Sequence, residues 1–493
     1  MSEMMSEVTV YRNYIDGRWS DALSGDTYER RNPYDQTLTG IYQDSDDRDT
    51  EAAIDAARTA FDRGAWPRWT AAERSAVMRR GAAAMRDQAD SLADIMTREV
   101  GQPRTQQLKA VASAADALDY YANLIVERRD DAVSGQRLDA IGLVLKEPVG
   151  VVGSLTAWNA PLSLTHKACP GMAAGCTVVV KPAHQSAGAV IRFAQIMEEA
   201  GLPKGVLNVV TSARDNGAVV GQAIARSEKV DMVTFTGSST TGKAVMRAAS
   251  ANLKRVKLEL GGKSPNIVFA DVRSIEQTAA AVVQGIFRLA GQSCQAGSRL
   301  LIQESIKDEF MAHLARHVAA VKLGDPFDPA TMCGPLVSEA QLRRVESYVE
   351  IGRAEARLLT GGKRPDGEAL RRGFFFEPTV FDDVEPTARI ATEEVFGPVL
   401  SVTSFTDEDH AIELANATPF GLVTGCWTTN LETAMKVSRS VVAGMVWVNC
   451  YRDNPPLRYM PTAFRKQSGI GAEMGPEGLD AFLELKSVMI QHG

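Results

Sequence analysis

An α/β protein, with a Rossmann-like doubly wound sheet followed by a second α/β unit, is the fold class the chain predicts. Three observations carry that reading. Continuous apolar and β-branched runs at residues 149–155, 176–180, 206–210, 232–235 and 256–260 alternate with helix-length segments at 166–174, 185–200, 213–225 and 240–249. Strands that are apolar on both faces belong in a parallel sheet covered by helices on either side. A second alternating set begins at 266–269 and includes strands at 299–302, 399–405 and 445–449 and helices at 306–321 and 339–356. Finally, the strands of the first set end in polar or glycine residues, and carboxyl ends are where doubly wound sheets bind ligands.

The elements before residue 149 follow from local chemistry. Asp16-Gly17, between alternating apolar flanks at 11–19, predicts a hairpin. From Thr50, the spacing of Ala53, Ile54, Ala57 and Phe61 predicts a helix, with Asp49 or Thr50 as its N-cap. A helix over 71–98, closed by Gly101 and Pro103, and another over 105–128 follow. A turn at Ser134-Gly135 then leads to a strand at 137–145. The apolar tail at 485–491 also reads as a strand, one in need of a partner such as another subunit.

At 493 residues the chain exceeds what one core serves and is expected to form two or three domains. Its net charge of −7 gives no basic footprint for nucleic acid. No apolar run reaches the ~18 residues of a membrane span. The polar, acidic start at residues 1–7 resembles neither a signal nor a transit peptide, so a cytoplasmic location is expected. The six cysteines are scattered without a Cys-x-x-Cys pair, which speaks for reduced thiols and against a zinc site or disulfide framework. His313 and His317 lie one helical turn apart, but Leu314 stands where a zinc-protease helix needs glutamate, and no metal is expected.

Cys294 stands in a small-residue turn between Gly291 and Gly297, after a predicted helix at 275–289 and before the strand at 299–302. Such a turn admits close approach to the thiol, although free cysteines are more often inert core. Four other stretches sit at predicted strand ends: Thr156-Ala-Trp-Asn-Ala-Pro161, Val180-Lys-Pro182, Phe235-Thr-Gly-Ser-Ser-Thr-Thr-Gly242 and Leu258-Glu-Leu-Gly-Gly-Lys-Ser-Pro265. The third is neither the Gly-x-Gly-x-x-Gly fingerprint nor a P-loop, yet a helix N-terminus with small hydroxyl residues can accept a pyrophosphate.

Together these stretches resemble the NAD(P)-dependent aldehyde dehydrogenase superfamily nearly end to end. Also similar are Glu393-Glu394-Val-Phe396-Gly-Pro398, Trp447-Val-Asn-Cys450 and Ser468-Gly-Ile-Gly-Ala-Glu473. The resemblance implies a cofactor domain at 1–124 and 149–261, a catalytic cysteine domain at 262–460, and bridging or oligomerisation segments at 125–148 and 461–493. It implies that Cys294 attacks the aldehyde, that Asn159 and the Cys294 backbone N–H hold the oxyanion, and that Glu259 activates the water that hydrolyses the thioester. For the cofactor, it assigns Lys181 to the adenosine ribose, Glu394 to the nicotinamide ribose and Gly237 with Ser238 to the pyrophosphate. Thr156, Trp158 and Phe396 line its path, and Lys167 matches a family lysine of less direct role.

Three departures bear on specificity. His184 stands where NAD-preferring members often carry a glutamate, so NAD is the expected cofactor with NADP admitted. Ala160 replaces a bulky aromatic. Pro461-Thr-Ala-Phe464, with Arg452, Arg458 and Arg465 nearby, replaces a Pro-Phe-Gly-Gly segment, which hints at a bulkier or more polar aldehyde. The expected partners are that small-molecule aldehyde and further copies of the chain, as a homodimer or homotetramer. Three other readings compete: a CoA-acylating dehydrogenase, disfavoured by Glu259; a cysteine hydrolase, disfavoured because no motif supplies a histidine; and a non-catalytic binding protein of the same fold.

Overall fold

The structure is a computed structural model that describes residues 8–134, 137–451 and 459–492. The acidic start, Gly135 of the predicted turn, Arg452 and Arg458 lie outside the described residues.

Five parallel strands form the heart of the first sheet. In spatial order they are Arg255–Glu259, Met232–Thr236, Val151–Leu155, Thr177–Lys181 and Leu207–Val209. The first strand in the chain, Val151–Leu155, thus lies beside the fourth, Met232–Thr236. The strand order reverses there, and a crevice opens at the strands' carboxyl ends. Alternate side chains go to opposite faces. Val152, Val178 and Val180 join the core beneath the helices Ala71–Asp87, Arg104–Glu127 and Gly188–Glu199. Val151, Val179 and Val233 join the core that also holds Ala53 and Ile54 of the helix Asp47–Asp62 and Ile224 of the helix Ala218–Arg226.

The predicted hairpin is the pair Asn13–Ile15 and Arg18–Ser20, which extends this sheet at one edge. Asp16 and Gly17 both take positive φ at its turn. At the other edge, Gly469–Ile470 pairs antiparallel with Arg255–Glu259, bringing the C-terminal region onto the first sheet.

Several helices begin or break differently from expectation. Asp46, not Asp49 or Thr50, caps the first helix, because Asp49 serves as the third member of a capping box and reaches back to the Asp46 backbone N–H. The segment read as one helix over 71–98 is two, Ala71–Asp87 and Ala89–Val100, interrupted at Gln88, where φ is −107° and ψ 20°. The stretch 166–174 is also two short helices, Leu164–Lys167 and Cys169–Ala174. They part at Ala168, two residues before Pro170, which has no N–H to continue the ladder.

The second sheet has six parallel strands and one antiparallel edge strand. Its order is Arg357–Thr360, Thr379–Asp382, Val399–Phe405, Arg299–Gln303, Pro265–Val268, Val423–Trp427 and Met445–Val448. It too is covered on both faces. A third, small sheet pairs the tail strand Leu483–Gln491 with Ala140–Pro148, and that in turn with Asp131–Val133, which the sequence pattern did not reveal. The tail's partner is therefore a strand of its own chain.

Candidate active site

A cavity of about 970 Å³ runs from Asp215 and His184, past the crevice of the first sheet, to Cys294 at the second. Every residue to which the family resemblance gives a catalytic or cofactor role lines it: Thr156, Trp158, Asn159, Lys181, Gly237, Ser238, Glu259, Cys294, Glu394 and Phe396.

The Cys294 loop follows the helix Ile275–Phe287, and its course depends on two glycines. Gly291 takes φ +67°, and a Cβ there would lie 1.9 Å from the Gly397 carbonyl oxygen. Gly262, just after the Glu259 strand, passes so close that a Cβ would meet the Cys294 carbonyl oxygen at 2.3 Å. Small residues therefore allow the ends of the two sheets to touch at this point.

That contact places the Cys294 Sγ 2.8 Å from Glu259 Oε1, with the thiol donating. The other carboxylate oxygen, Oε2, accepts from Lys167 Nζ at 2.6 Å. Lys167 also donates to Glu473 Oε1 and Oε2, at 2.8 and 2.9 Å. Burial works against the Lys167 ammonium, but Glu259 and Glu473 outweigh it and hold its pKa above the ordinary lysine value. Burial likewise pushes the Glu473 carboxyl up, and Lys167 with Lys257 pulls it below the usual range.

Asn159 follows the strand Val151–Leu155. Its Nδ2 donates to the Gln292 carbonyl oxygen at 3.1 Å, in the Cys294 loop. A side-chain amide has two N–H donors, so this bond leaves the second for a ligand. The Asn159 backbone is fixed in turn. Its carbonyl accepts from Gln102 Nε2 at 3.2 Å, and Gln102 Oε1 accepts from Gln107 Nε2 at 2.6 Å. Gln292 is fully buried, accepting from the Val337 N–H and donating to the Pro335 carbonyl. The sequence reading missed Gln102 and Gln107 altogether, and Gln292 stood in the cysteine turn without a role. Glu473 stood in a quoted motif without a role.

The other half of the cavity suits a dinucleotide. Ser238 caps the helix Ser239–Ala249, its hydroxyl accepting from the Thr241 N–H. Helix N–H groups at this end favour an anion. Thr156 Oγ1 and Thr236 Oγ1 are buried without a hydrogen-bond partner among the described residues. Burial alone pulls Lys181 down to about 8. A Cβ at Gly217 would meet the Lys181 Nζ at 2.3 Å, so only glycine leaves that ammonium its place. Burial pushes Glu394 up to about 7, and its Oε1 accepts from the Gly262 N–H at 3.0 Å. Trp158 and Phe396 meet edge to face, with centroids 5.4 Å apart. His184 packs edge-on to Tyr28, and burial, then Lys181, pulls its ring down to about 4.

Residues 19–488 match the model of the aldehyde dehydrogenase family. The chain belongs to the aldehyde dehydrogenase family. It is 39% identical over 477 residues to betaine aldehyde dehydrogenase of Bacillus subtilis, covering 96% of both chains. It is 40% identical to the NADP/NAD-dependent aldehyde dehydrogenase PuuC of Escherichia coli, over 97% of this chain and 95% of that one. An NAD-dependent aldehyde dehydrogenase from Sinorhizobium meliloti superposes with a TM-score of 0.95 at 40% identity, over 99% of this chain and 96% of that one. The activity of this aldehyde dehydrogenase is thus NAD(P)-dependent oxidation of an aldehyde to its acid. One specificity expectation shifts. On the aldehyde side the described lining includes Ala160, Ser163, His166, Gln295 and Met474, but not residues 461–465. Phe464 is core, and Arg465 lies in a two-residue strand paired with Phe420–Gly421.

Proposed function

We propose that Cys294 is the nucleophile, Glu259 the base and Asn159 the oxyanion donor of this reaction. The observation that carries the proposal is the Cys294 Sγ held 2.8 Å from Glu259 Oε1 inside the cavity. The thiol loses its proton to solvent water, which leaves Glu259 ionised, and the sulfur bonds to the carbonyl carbon as the C=O π pair moves to oxygen. The free N–H of the Asn159 amide and the Cys294 backbone N–H receive the oxyanion. NAD(P)+, when bound, supplies the hydride acceptor. Lys181, Gly237, Ser238, Thr156, Trp158, Phe396 and Glu394 are the residues that would hold it. Collapse of the oxyanion, with the former aldehyde hydrogen lost as hydride, leaves a thioester on Cys294. Glu259 then takes a proton from water, whose oxygen attacks the thioester carbon, and the C–S bond breaks to release the acid. Lys167 and Glu473 hold the carboxylate oriented. A poised base beside the thioester supports hydrolysis over transfer to CoA.

The test is a panel of aldehydes with NAD+ or NADP+, following nicotinamide reduction. Cys294→Ala is expected to show no turnover, and an active Cys294→Ala enzyme would sink the mechanism. Glu259→Gln is expected to keep a burst of reduced cofactor while turnover falls about 10²–10⁴-fold. Full steady-state turnover in that variant would remove only the base assignment.

The lining by Ser163, His166 and Gln295 beside the small Ala160 supports a polar aldehyde. Relatives named for betaine aldehyde and for aminoaldehydes fit that class. With His184 neutral and no carboxylate at its position, NADP+ is accepted alongside NAD+. His184→Glu should weaken NADP+ binding, read by fluorescence quenching, while NAD+ binding holds. Equal affinities for NADP+ before and after the change would contradict this. Among the described residues the tail strand Leu483–Gln491 pairs on one side only, and Leu485 and Met489 are 69% and 80% exposed. That free edge supports pairing with further copies, as a dimer or tetramer, and light scattering reads the number. No described helix is long and apolar enough to cross a membrane, which accords with a cytoplasmic enzyme.

A further inference from the structure

Lys257 lies two residues before Glu259 on the strand Arg255–Glu259, and residues i and i+2 of a strand share a face. It is 2% exposed, and its Nζ has no hydrogen-bond partner among the described residues. The ammonium is 3.9 Å from Glu473 Oε1 and 4.7 Å from the centroid of the Phe482 ring. A buried cation without hydrogen bonds is costly unless nearby charge compensates it.

Here the compensation is numerical. Two cations, Lys257 and Lys167, face two carboxylates, Glu473 and Glu259, in one buried chain that ends on the Cys294 thiol. Other titratable groups around the chain include Glu394, which Glu259 helps to push up, His166 beside Lys167, Tyr121 from the helix Arg104–Glu127, and Cys169. Burial pushes the Tyr121 and Cys169 groups up, so both stay neutral. Without Lys257, two buried carboxylates would share one lysine, and like charges in one site draw a proton onto one of them.

We propose that Lys257 is a positioning residue for the hydrolytic half-reaction. Its charge balances Glu473, so that Lys167 is left to serve Glu259, and the base meets the attacking water as a free carboxylate. This rests on the reading of Glu259 as the base. Lys257 touches neither thiol nor water; it acts through Glu473 and Lys167.

The experiment is the pH dependence of deacylation, measured by single-turnover decay of the Cys294 thioester in wild type, Lys257→Met, Lys257→Gln and Lys257→Arg. In both neutral variants the acid limb is expected to move up by about 1 pH unit, a roughly tenfold loss of rate at a pH on that limb. Lys257→Arg should keep the wild-type limb, and the acylation burst should be unchanged in all three. Reading two neutral replacements of different shape guards against either one failing to fold. A limb that stays in place in the neutral variants, or that moves as far in Lys257→Arg, overturns the proposal. Glu259→Gln separates the two ideas. A limb that persists in that variant removes the base assignment itself. A limb lost there, yet unmoved in Lys257→Met, removes only the role of Lys257.

Discussion

Two glutamates of this chain are buried to similar depth and live by opposite rules. Glu259 is 8% exposed and sits in an alternating row of charge, with Lys167 at 2.6 Å on one oxygen and the Cys294 thiol on the other. Glu99 is 1% exposed, in the helix Ala89–Val100, and its Oε1 accepts from the Tyr42 hydroxyl and from the Gly188 N–H. Its Oε2 has no partner among the described residues. The nearby Arg30 guanidinium is spent on the backbone carbonyls of Glu99 and Val337. Burial therefore dominates, and pushes Glu99 up to about 7. Depth alone does not make an acid–base residue. What separates the two sites is whether a cation bonds the carboxylate directly: Arg30 only tempers the rise of Glu99, whereas Lys167 bonds Glu259, and only that glutamate stands beside the Cys294 thiol.

Removing the shared cation should break the first site. Lys167→Met leaves Glu259 and Glu473 without their common donor, and stripping one partner from a buried ion pair typically costs about 3–5 kcal/mol. Urea denaturation at neutral pH would show it as a lower midpoint with an unchanged slope. A variant as stable as wild type would mean that the pair contributes no more than neutral packing does.

The unpaired glutamate should respond in the opposite sense. Its folded-state pKa is raised, so the stability it contributes is full below the unfolded value of 4.5 and is lost as pH rises through about 7. The loss across that window is up to about 3 kcal/mol. Glu394, also pushed up to about 7 by burial, adds a slope of the same sign, so the measurement is a difference between proteins. Glu99→Gln should flatten the fall in stability between pH 5 and 8 relative to wild type. Parallel pH profiles for the two proteins would show that Glu99 ionises without penalty.

How far each site can be read from the sequence follows the same division. The strands were legible because apolar runs on both faces have few alternatives, and the family motifs placed Cys294, Glu259 and Asn159 at strand ends. The N-cap at Asp46 and the break at Gln88 were not, because neighbouring aspartates compete for one cap and the helical pattern continues across the interruption. The charge row escaped for a different reason. Lys257 reads as an ordinary alternating strand residue, and only the folded register of Gly469–Ile470 against Arg255–Glu259 carries Glu473 toward it. Buried polar pairs joined by long chain separations leave no spacing to recognise. Gln102 and Gln107 belong to no motif, and polar residues beside a helix start carry no mark of a buried role.

That glutamine pair gives the finest test of the contrast between charged and neutral burial, because it supports the site without any charge. Gln102 is 4% exposed, and its amide joins Gln107 to the Asn159 carbonyl at the end of the first sheet. The Asn159 side chain then reaches across to the Gln292 carbonyl on the second. Gln102→Leu should let the Asn159 segment drift, and a misplaced oxyanion donor loses part of the roughly 10²–10³ that a whole donor is worth. A loss of about tenfold in the acylation rate is expected, with cofactor affinity and urea midpoint little changed. The decisive comparison is with Asn159→Ala, where the same Gln102→Leu change should cost almost nothing, because residues acting through one another are not additive. Equal losses in the two backgrounds would make Gln102 a general packing residue, and no neutral counterpart to the charge row would remain at this site.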